Sequence, residues 1–337
     1  MTISVLGIDI GKNSFHLYGV DQKGKKMVRK KLSRKNLLHY IANIEPCLVA
    51  MEACGGAHYL ARSFQSYGHE VKLISPQFVK PYVKSNKNDY NDAEAICEAA
   101  TRPNMRFVPI KSSQQQSWQL LHRFRQQAVD QRTALVNQIR GSLLEEGIVV
   151  AQGIGKIRAQ LPRILEDAEN GLHSLTRSLI HGLSEELKAL DKRIKAYDEQ
   201  IHELANNDDK CRLLMTIPGI GATIATALVA AIGSPKNYQS GRHLAAWLGL
   251  VPKQHSTGGT PKLLGISKRG DKYLRTLLIH GARSVQHCLK NQDDRCKKWV
   301  TQLNSRCHQN VAAVGLANKM ARIAWAVMAS GEAYRAS

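Results

Sequence analysis

The chain has 337 residues, with 48 Lys and Arg against 27 Asp and Glu, for a formal charge of +21. That length predicts about two or three domains with real cores, and a hydrophobic fraction of 43% excludes wholesale disorder. No uninterrupted apolar run approaches the roughly 18–20 residues of a membrane span. Met1-Thr2-Ile3-Ser4 leads straight into strand-like sequence, without a basic and then apolar leader. The seven cysteines (Cys47, Cys54, Cys97, Cys211, Cys288, Cys296, Cys307) are scattered and form no CxxC pair. This argues against a zinc ribbon and a disulfide scaffold, and fits a reducing cytoplasm. The charge calls for a polyanionic partner, with nucleic acid the leading candidate.

In chain order, Val5–Asp9 reads as a buried strand, Ser14–Val20 as a half-buried one, and Lys26–Leu32 as a third after a turn at Asp21–Gly24. Ser33 can cap a following helix. Next come a strand over Cys47–Glu52, a helix from about Gly56, a strand over Glu70–Ile74 and a helix starting near Asp92. A strand meander followed by alternating strands and helices is the order of an RNase H-like α/β domain, here residues 1–110.

Residues 111–206 change character. Two stretches, about 112–144 and 172–204, are poor in Gly and Pro and rich in Gln, Arg, Glu and Leu. Leu183, Leu187, Leu190, Ile194, Tyr197, Ile201 and Leu204 step by four and three in alternation, which is a heptad seam. It predicts either a two-helix coiled-coil hairpin or a dimer stalk. Residues 207–337 form a mainly helical C-terminal domain, and fifteen Lys and Arg against four Asp and Glu fall in residues 251–337.

Three constellations carry chemistry. The first is a set of four carboxylates. Asp9 and Glu52 end separate strands, and side chains at neighbouring strand ends converge on one rim of a sheet. Asp89 and Asp92, three apart at a helix start, share one face. Such a gathering repels itself unless a hard cation sits among the oxygens, and Mg²⁺ suits phosphoryl transfer. Glu94 and Glu98 read as the solvated face of the same helix. The second is Ile217-Pro218-Gly219-Ile220-Gly221, a turn of helix-hairpin-helix type. Gly219 and Gly221 either bring amides to a backbone phosphate or simply make a tight helix connection. The third runs from Trp247 to Arg275 and concentrates hydroxyls, glycines and cations. It reads either as a solvated basic loop or as a phosphate-binding one, with Lys253, Lys262, Lys268, Arg269, Lys272 and Arg275 as counter-charges. Lys12, after the first strand, joins them. Ser256 there could act as a nucleophile if a base or a metal activates it.

Taken together, Gly7-Ile8-Asp9, Met51-Glu52-Ala53-Cys54-Gly55, Asn88-Asp89-x-x-Asp92-Ala93-Glu94, Ile217-Pro218-Gly219-Ile220-Gly221, Gly249-Leu250-Val251-Pro252, His255-Ser256-Thr257-Gly258-Gly259 and Gly265-Ile266-Ser267-Lys268-Arg269-Gly270-Asp271 span nearly the whole chain. In order and spacing they resemble the DEDD transposases of insertion sequences of the IS110 type, particularly their second large branch, and the related Piv pilin-gene invertases. The resemblance implies a resolvase-like RNase H domain with Asp9, Glu52, Asp89 and Asp92 holding Mg²⁺, a coiled-coil segment, and a C-terminal transposase domain. It further implies that Ser256 attacks DNA, that a structured bridge RNA pairs with donor and target DNA, and that the chain works as a homodimer or homotetramer, with no membrane, in a bacterial cytoplasm and at the nucleoid when bound. One departure is visible: relatives commonly place Lys directly after the two glycines, whereas Thr260-Pro261 precede Lys262 here. The alternatives are a site-specific invertase of the Piv type, a metal-dependent structure-selective nuclease without a covalent intermediate, and a non-enzymatic nucleic-acid scaffold.

Overall fold

The computed structural model describes residues 2–84, 88–288 and 295–335, which divide into two units, residues 1–116 and 117–337. The first unit holds β1 (Val5–Ile10), β2 (Ser14–Val20), β3 (Lys26–Ser33), α1 (Arg34–Ala42), β4 (Leu48–Glu52), α2 (Ala57–Ser66), β5 (Glu70–Ile74), α3 (Pro76–Val79), α4 (Asp89–Ala100) and β6 (Phe107–Val108). Ser33 caps α1 by accepting from the Asn36 amide, as its position predicts. The strands lie in the order β3-β2-β1-β4-β5-β6. β2 is antiparallel to β1 and β3, the β1-β4-β5 trio is parallel, and β6 closes the edge antiparallel.

Period-two alternation sorts the side chains of this sheet. Leu6 and Ile8 of β1, Phe15 and Leu17 of β2 and Val49 and Met51 of β4 form one core with Leu37, Ile41, Leu60 and Phe64 from α1 and α2. On the opposite face, Val5 and Ala50 pack with Ile96, Cys97 and Ala99 of α4. Gly7 makes that second contact close. A Cβ there would stand 2.3 Å from the Ala93 carbonyl oxygen and 2.7 Å from the Cys97 amide nitrogen, so only glycine lets the helix backbone rest on the strand.

The second unit comprises α5 (Ser113–Glu145, whose first turn lies before the boundary), α6 (Ile154–Glu166), α7 (Ser174–Asn207), α8 (Asp209–Met215), α9 (Ala222–Ile232), α10 (Gly241–Trp247), β7 (Pro252–Thr257), β8 (Thr260–Ile266), α11 (Lys272–Cys288), α12 (Arg295–Asn304) and α13 (Gln309–Ser330). It has two cores. Leu187, Leu190 and Ile194 of the heptad seam are buried among Leu135, Val136, Ile139 and Leu143 of α5 and Ile157 and Leu161 of α6. Much of the apolar stripe is therefore covered by the same chain. Ile201 continues into the other core, built from α8 to α13.

Arg125–Asp198 and Arg132–Asp191 ion pairs step in opposite directions along α5 and α7, so these helices run antiparallel. Arg158 of α6 also reaches Asp191, at 2.6 Å. Burial opposes ionisation of Asp191, but the guanidiniums of Arg158 and Arg132 hold its carboxyl below the usual range. The helix α6 had no counterpart in the sequence reading.

Among the described residues, α13 is the one helix long and apolar enough to cross a membrane, with a mean hydropathy of 1.2. Its Leu316, Ala317, Met320, Ala321 and Ala324 are buried in the core shared with Ile201, the ordinary reason for an apolar helix in a folded domain. The six cysteines with described side chains are free thiols; that of Cys296 lies outside the described residues.

Candidate active site

In the first unit, the face of the sheet that carries α4 collects the acidic residues. Residues 5, 7 and 9 of β1 point that way, and so do Ala50 and Glu52 of β4. The parallel register pairs Ile8 with Met51, so Asp9 and Glu52 follow side by side at the strand ends. The seat that Gly7 gives to Ala93 brings the first turn of α4 over the same rim, with Asp89 and Asp92 on it. Asn88, not Asp92, caps this helix, accepting from the Tyr90 amide at 3.0 Å. The two aspartates are thereby left in the first turn, where the helix dipole favours negative charge.

The electrostatics record the crowding. Burial, then the charges of Asp92 and Asp89, push the Asp9 carboxyl above its ordinary value, against a smaller opposing pull from His16 and the Ile10 amide. Burial, then Asp9 and Asp92, do the same to Glu52. Glu94 and Glu98 stand apart from this set: Lys84 pairs with both, at 3.7 and 3.0 Å, and Arg102 with Glu98.

Sequence reasoning missed one member. His16 of β2, directly opposite Asp9 in the antiparallel register, is buried, and its Nδ1 lies 3.5 Å from Asp89 Oδ2. Its ring meets Tyr90 edge-on at 4.7 Å, and Arg29 lies over the other ring at 4.5 Å. Asp9, His16 and Asp89 each offer one ligand atom within 4.8 Å of the others. Counting outward from the tight Gly11–Asn13 turn would have found His16, because that turn sets Asp9 against it.

Whether a divalent cation suits these residues can be judged from the donors themselves. Carboxylates on three elements, two of them raised by mutual repulsion and burial, are what a hard cation would relieve. The residues fit.

The second unit carries the serine. The stretch 252–266, read from sequence as a loop, is a two-stranded antiparallel hairpin, turned by Gly258 and Gly259 with φ of +58° and +79°. Two positive φ values in succession match the twist of paired strands, and glycine adopts them without strain. Ser256 is exposed, pairs with Pro261, and accepts a hydrogen bond of 2.7 Å from Gln254 Nε2. His255 points to the other face, across from Lys262. Gln254, two residues before Ser256 and on its face, is the neighbour that a loop reading hides.

The cations of this region divide. Lys253, Lys262, Lys268, Arg269 and Lys272 are exposed, as is Lys12 in the first unit. Arg275 corrects the expectation of a phosphate contact. It is 8% exposed, and its Nη1 donates to the carbonyls of Leu248 at 3.0 Å and Arg269 at 3.2 Å. Those bonds clamp two segments whose backbones interlock. Cβ atoms at Gly249 and Gly270 would fall 2.1 Å from the Arg269 oxygen and 1.8 Å from the Trp247 oxygen. In the turn between α8 and α9, Gly219 (φ +83°) is wedged against α11, its Cβ position 2.8 Å from the Gly281 oxygen, whereas Gly221 faces open space. The first glycine serves the helix connection. The second leaves the start of α9 accessible.

An acidic rim on a mixed sheet, combined in one chain with an exposed cationic hairpin and a net charge of +21, defines a protein of the nucleic-acid-processing class. Comparison with known proteins narrows this. A transposase family of the DEDD, IS110 type matches residues 6–147, and the one described as "Transposase IS116/IS110/IS902 family" matches residues 211–297. A "Probable family 20 transposase" of Pseudomonas aeruginosa is 46% identical over 99% of both chains. The "Transposase for insertion sequence element IS1328" of Yersinia enterocolitica is 45% identical over 98% of both. The "Pilin gene-inverting protein" of Moraxella bovis is 24% identical over 83% of this chain and 82% of its own. The chain belongs to the IS116/IS110/IS902 family of transposases and is an insertion-sequence transposase, related more distantly to the pilin-gene invertases.

Proposed function

We propose that this transposase cuts and rejoins DNA through a covalent phosphoserine link at Ser256, with Asp9, Glu52, Asp89 and Asp92 as the acidic centre of an RNase H-like domain. The observation that carries the proposal is the gathering of those carboxylates on one rim, with Asp9 and Glu52 raised by burial and by their neighbours. The strand order, with an antiparallel meander followed by parallel β4 and β5, supports the RNase H-like reading. The antiparallel α5–α7 pair with its buried seam supports a coiled-coil hairpin, and the separate core around it supports a division near residues 110 and 206.

A bound Mg²⁺ would supply Lewis-acid stabilisation of the charge that builds on phosphoryl oxygens. The chain's own residues do the rest. Ser256 Oγ bonds to phosphorus as one ester bond to a deoxyribose oxygen breaks; the serine proton passes to a base, and the departing oxygen takes a proton. The ester energy is retained, so attack by a strand's hydroxyl on the phosphoserine rejoins DNA without an external energy source. Gln254 holds Oγ from the donor side and cannot serve as the base, since an amide N–H only donates. His16 beside Asp89 orients that carboxylate. Gly258 and Gly259 allow close approach to the backbone, while Lys253, Lys262, Lys268, Arg269 and Lys272 offset phosphate charge, with Lys12, Gly219 and Gly221 as further contacts.

The surplus of cations also supports a structured RNA as guide, pairing with donor and target DNA, and a homodimer or homotetramer holding paired ends. Because much of the heptad seam is buried within the chain, subunit contacts rest on other surfaces. On a denaturing gel, the wild type with its DNA should give a protein–DNA adduct that maps to Ser256. Free nicked ends without an adduct would favour the nuclease reading instead. Sequencing of co-purified RNA tests the guide: one abundant RNA encoded beside the gene supports it, and random cellular RNA overturns it.

A further inference from the structure

We infer that a groove between α10, α12 and α13, lined by none of the residues of the serine hairpin or the acidic rim, binds an unstacked segment of single-stranded nucleic acid. The groove has a volume of about 790 Å³, and Arg242, Trp299, Asn318, Lys319, Arg322 and Trp325 are prominent in its lining. Among the described residues, no Asp or Glu lines it. Neither α10 nor α13 contains one. Elsewhere in this unit Arg125, Arg132, Arg158 and Arg212 are paired with carboxylates. Among the described residues, no ion pair involves Arg242, Lys319 or Arg322. Among the described residues, these three cations face one concavity without a counter-charge.

The aromatic residues are held in place. Trp325 donates its indole N–H to the carbonyls of Pro235 at 3.1 Å and Tyr238 at 3.2 Å, which fixes the ring and spends its one polar group. Lys319 Nζ lies 4.6 Å from the centroid of the Trp299 ring, a cation–π contact that sets an ammonium beside an aromatic face. Gly315 leaves room for that ring, since its Cβ position is already 3.2 Å from Leu303 and 3.9 Å from Trp299. On the opposite wall a Cβ at Gly241 would stand 2.9 Å from the Arg322 oxygen, so glycine brings α10 against α13 and narrows the groove.

Uncompensated cations beside aromatic rings form the chemistry of single-strand binding, in which phosphates meet the charges and a base stacks on an aromatic face. A duplex keeps its bases stacked inside, so it can offer this groove phosphates only. DNA and RNA strands share the chemistry required. The inference concerns binding alone and stands whether or not Ser256 is the nucleophile.

The test is fluorescence anisotropy of the full chain with labelled oligo(dT), oligo(U) and a duplex of equal length, across a salt series. Arg242→Ala with Arg322→Ala removes two exposed side chains and leaves the core intact. Affinity for the single strands should fall about tenfold or more, and the slope of log affinity against log salt should fall by about 1.4, from roughly 0.7 per phosphate contact. Duplex affinity should change much less. Trp299→Ala should weaken single-strand binding by about tenfold, with Trp299→Phe restoring most of it. A stronger effect on oligo(dT) or on oligo(U) identifies the strand the groove takes. Wild-type affinity and slope in the double variant would overturn the inference. So would an equal loss for the duplex, or binding of labelled oligoglutamate that the double variant loses while its single-strand affinity stays at the wild-type level, which would mark an acidic-peptide site.

Discussion

The acidic rim and the serine hairpin are built in opposite ways. The rim is embedded: Asp9 and Glu52 end strands whose alternate residues are core, His16 is buried beside them, and Gly7 seats α4 on the sheet. The hairpin has no core at all, since every residue from Pro252 to Gly265 is exposed. Only its foot is locked, by the interlocked backbones at Gly249 and Gly270 and by the Arg275 clamp. A two-stranded hairpin alone is marginally stable. Packing therefore positions the carboxylates in advance, while the serine depends on a rigid foot and on the surface it meets.

The largest expected effect breaks chemistry at both places but binding at neither. Asp9→Ala and Ser256→Ala should each lower adduct formation by about 10³-fold or more, since each removes a part of the proposed reacting centre. Gel-shift affinity for DNA should remain near wild type. An Asp9→Ala chain with normal recombination would show that the rim is not the acidic centre.

Paired glycine substitutions sharpen the contrast between embedded and exposed. Gly7→Ala forces a methyl against the backbone of α4, and should cost about 3 kcal/mol or more in thermal unfolding. Gly259→Ala meets nothing within 4 Å and bears only its positive φ, a cost of about 1 kcal/mol. Equal losses would refute the idea that packing distinguishes the two sites.

The foot of the hairpin continues into α11, whose Tyr273 donates to His122 Nδ1 at 3.1 Å. Thr226 donates its hydroxyl to the Ala222 carbonyl at 2.7 Å and so accepts from His122 Nε2–H at 3.0 Å. Burial, then Arg125, pushes His122 from 6.5 down to about 4. The unfolded chain therefore takes a proton before the folded one does. The stability from this site is complete above pH 6.5 and is lost as pH falls toward 4, by about 3 kcal/mol. Denaturant titrations across that range should show the loss, and His122→Gln should flatten it.

Arg275→Met should cost about 2 kcal/mol by leaving the Leu248 and Arg269 carbonyls without their donor. The salt dependence of DNA binding should be unchanged, whereas Lys262→Ala or Arg269→Ala should lower the slope by about 0.9. A slope change in Arg275→Met would return that residue to the phosphate contacts.

The smallest effect concerns Asp9→Asn. Removing a half-buried carboxylate from among several repelling ones should stabilise the metal-free chain by roughly 1 kcal/mol or less, seen as a small rise in melting temperature. The same change should abolish the stabilisation that added Mg²⁺ gives the wild type. A lower melting temperature would mean that Asp9 is held by favourable contacts rather than by a cation.

Local pattern alone determined much of this protein. Short apolar runs mark the five main strands of the first unit, Ser33 marks its first helix, and the heptad steps mark α7, because each signal is local in sequence. The acidic residues were legible for the same reason, as carboxylates at the ends of apolar strands and at a helix start. Tertiary structure decided what depends on partners distant in sequence. It brought His16 to Asp89, which requires the register of two strands and the seat of a helix some seventy residues later. It turned Arg275 inward, because two carbonyls from other segments needed a donor where the chain folds back on itself. It covered the seam with α5 and α6, although a heptad reads the same whichever helix answers it. And it paired Ser256 with Gln254 on one face of a hairpin whose polar, glycine-rich sequence carries the composition of a loop.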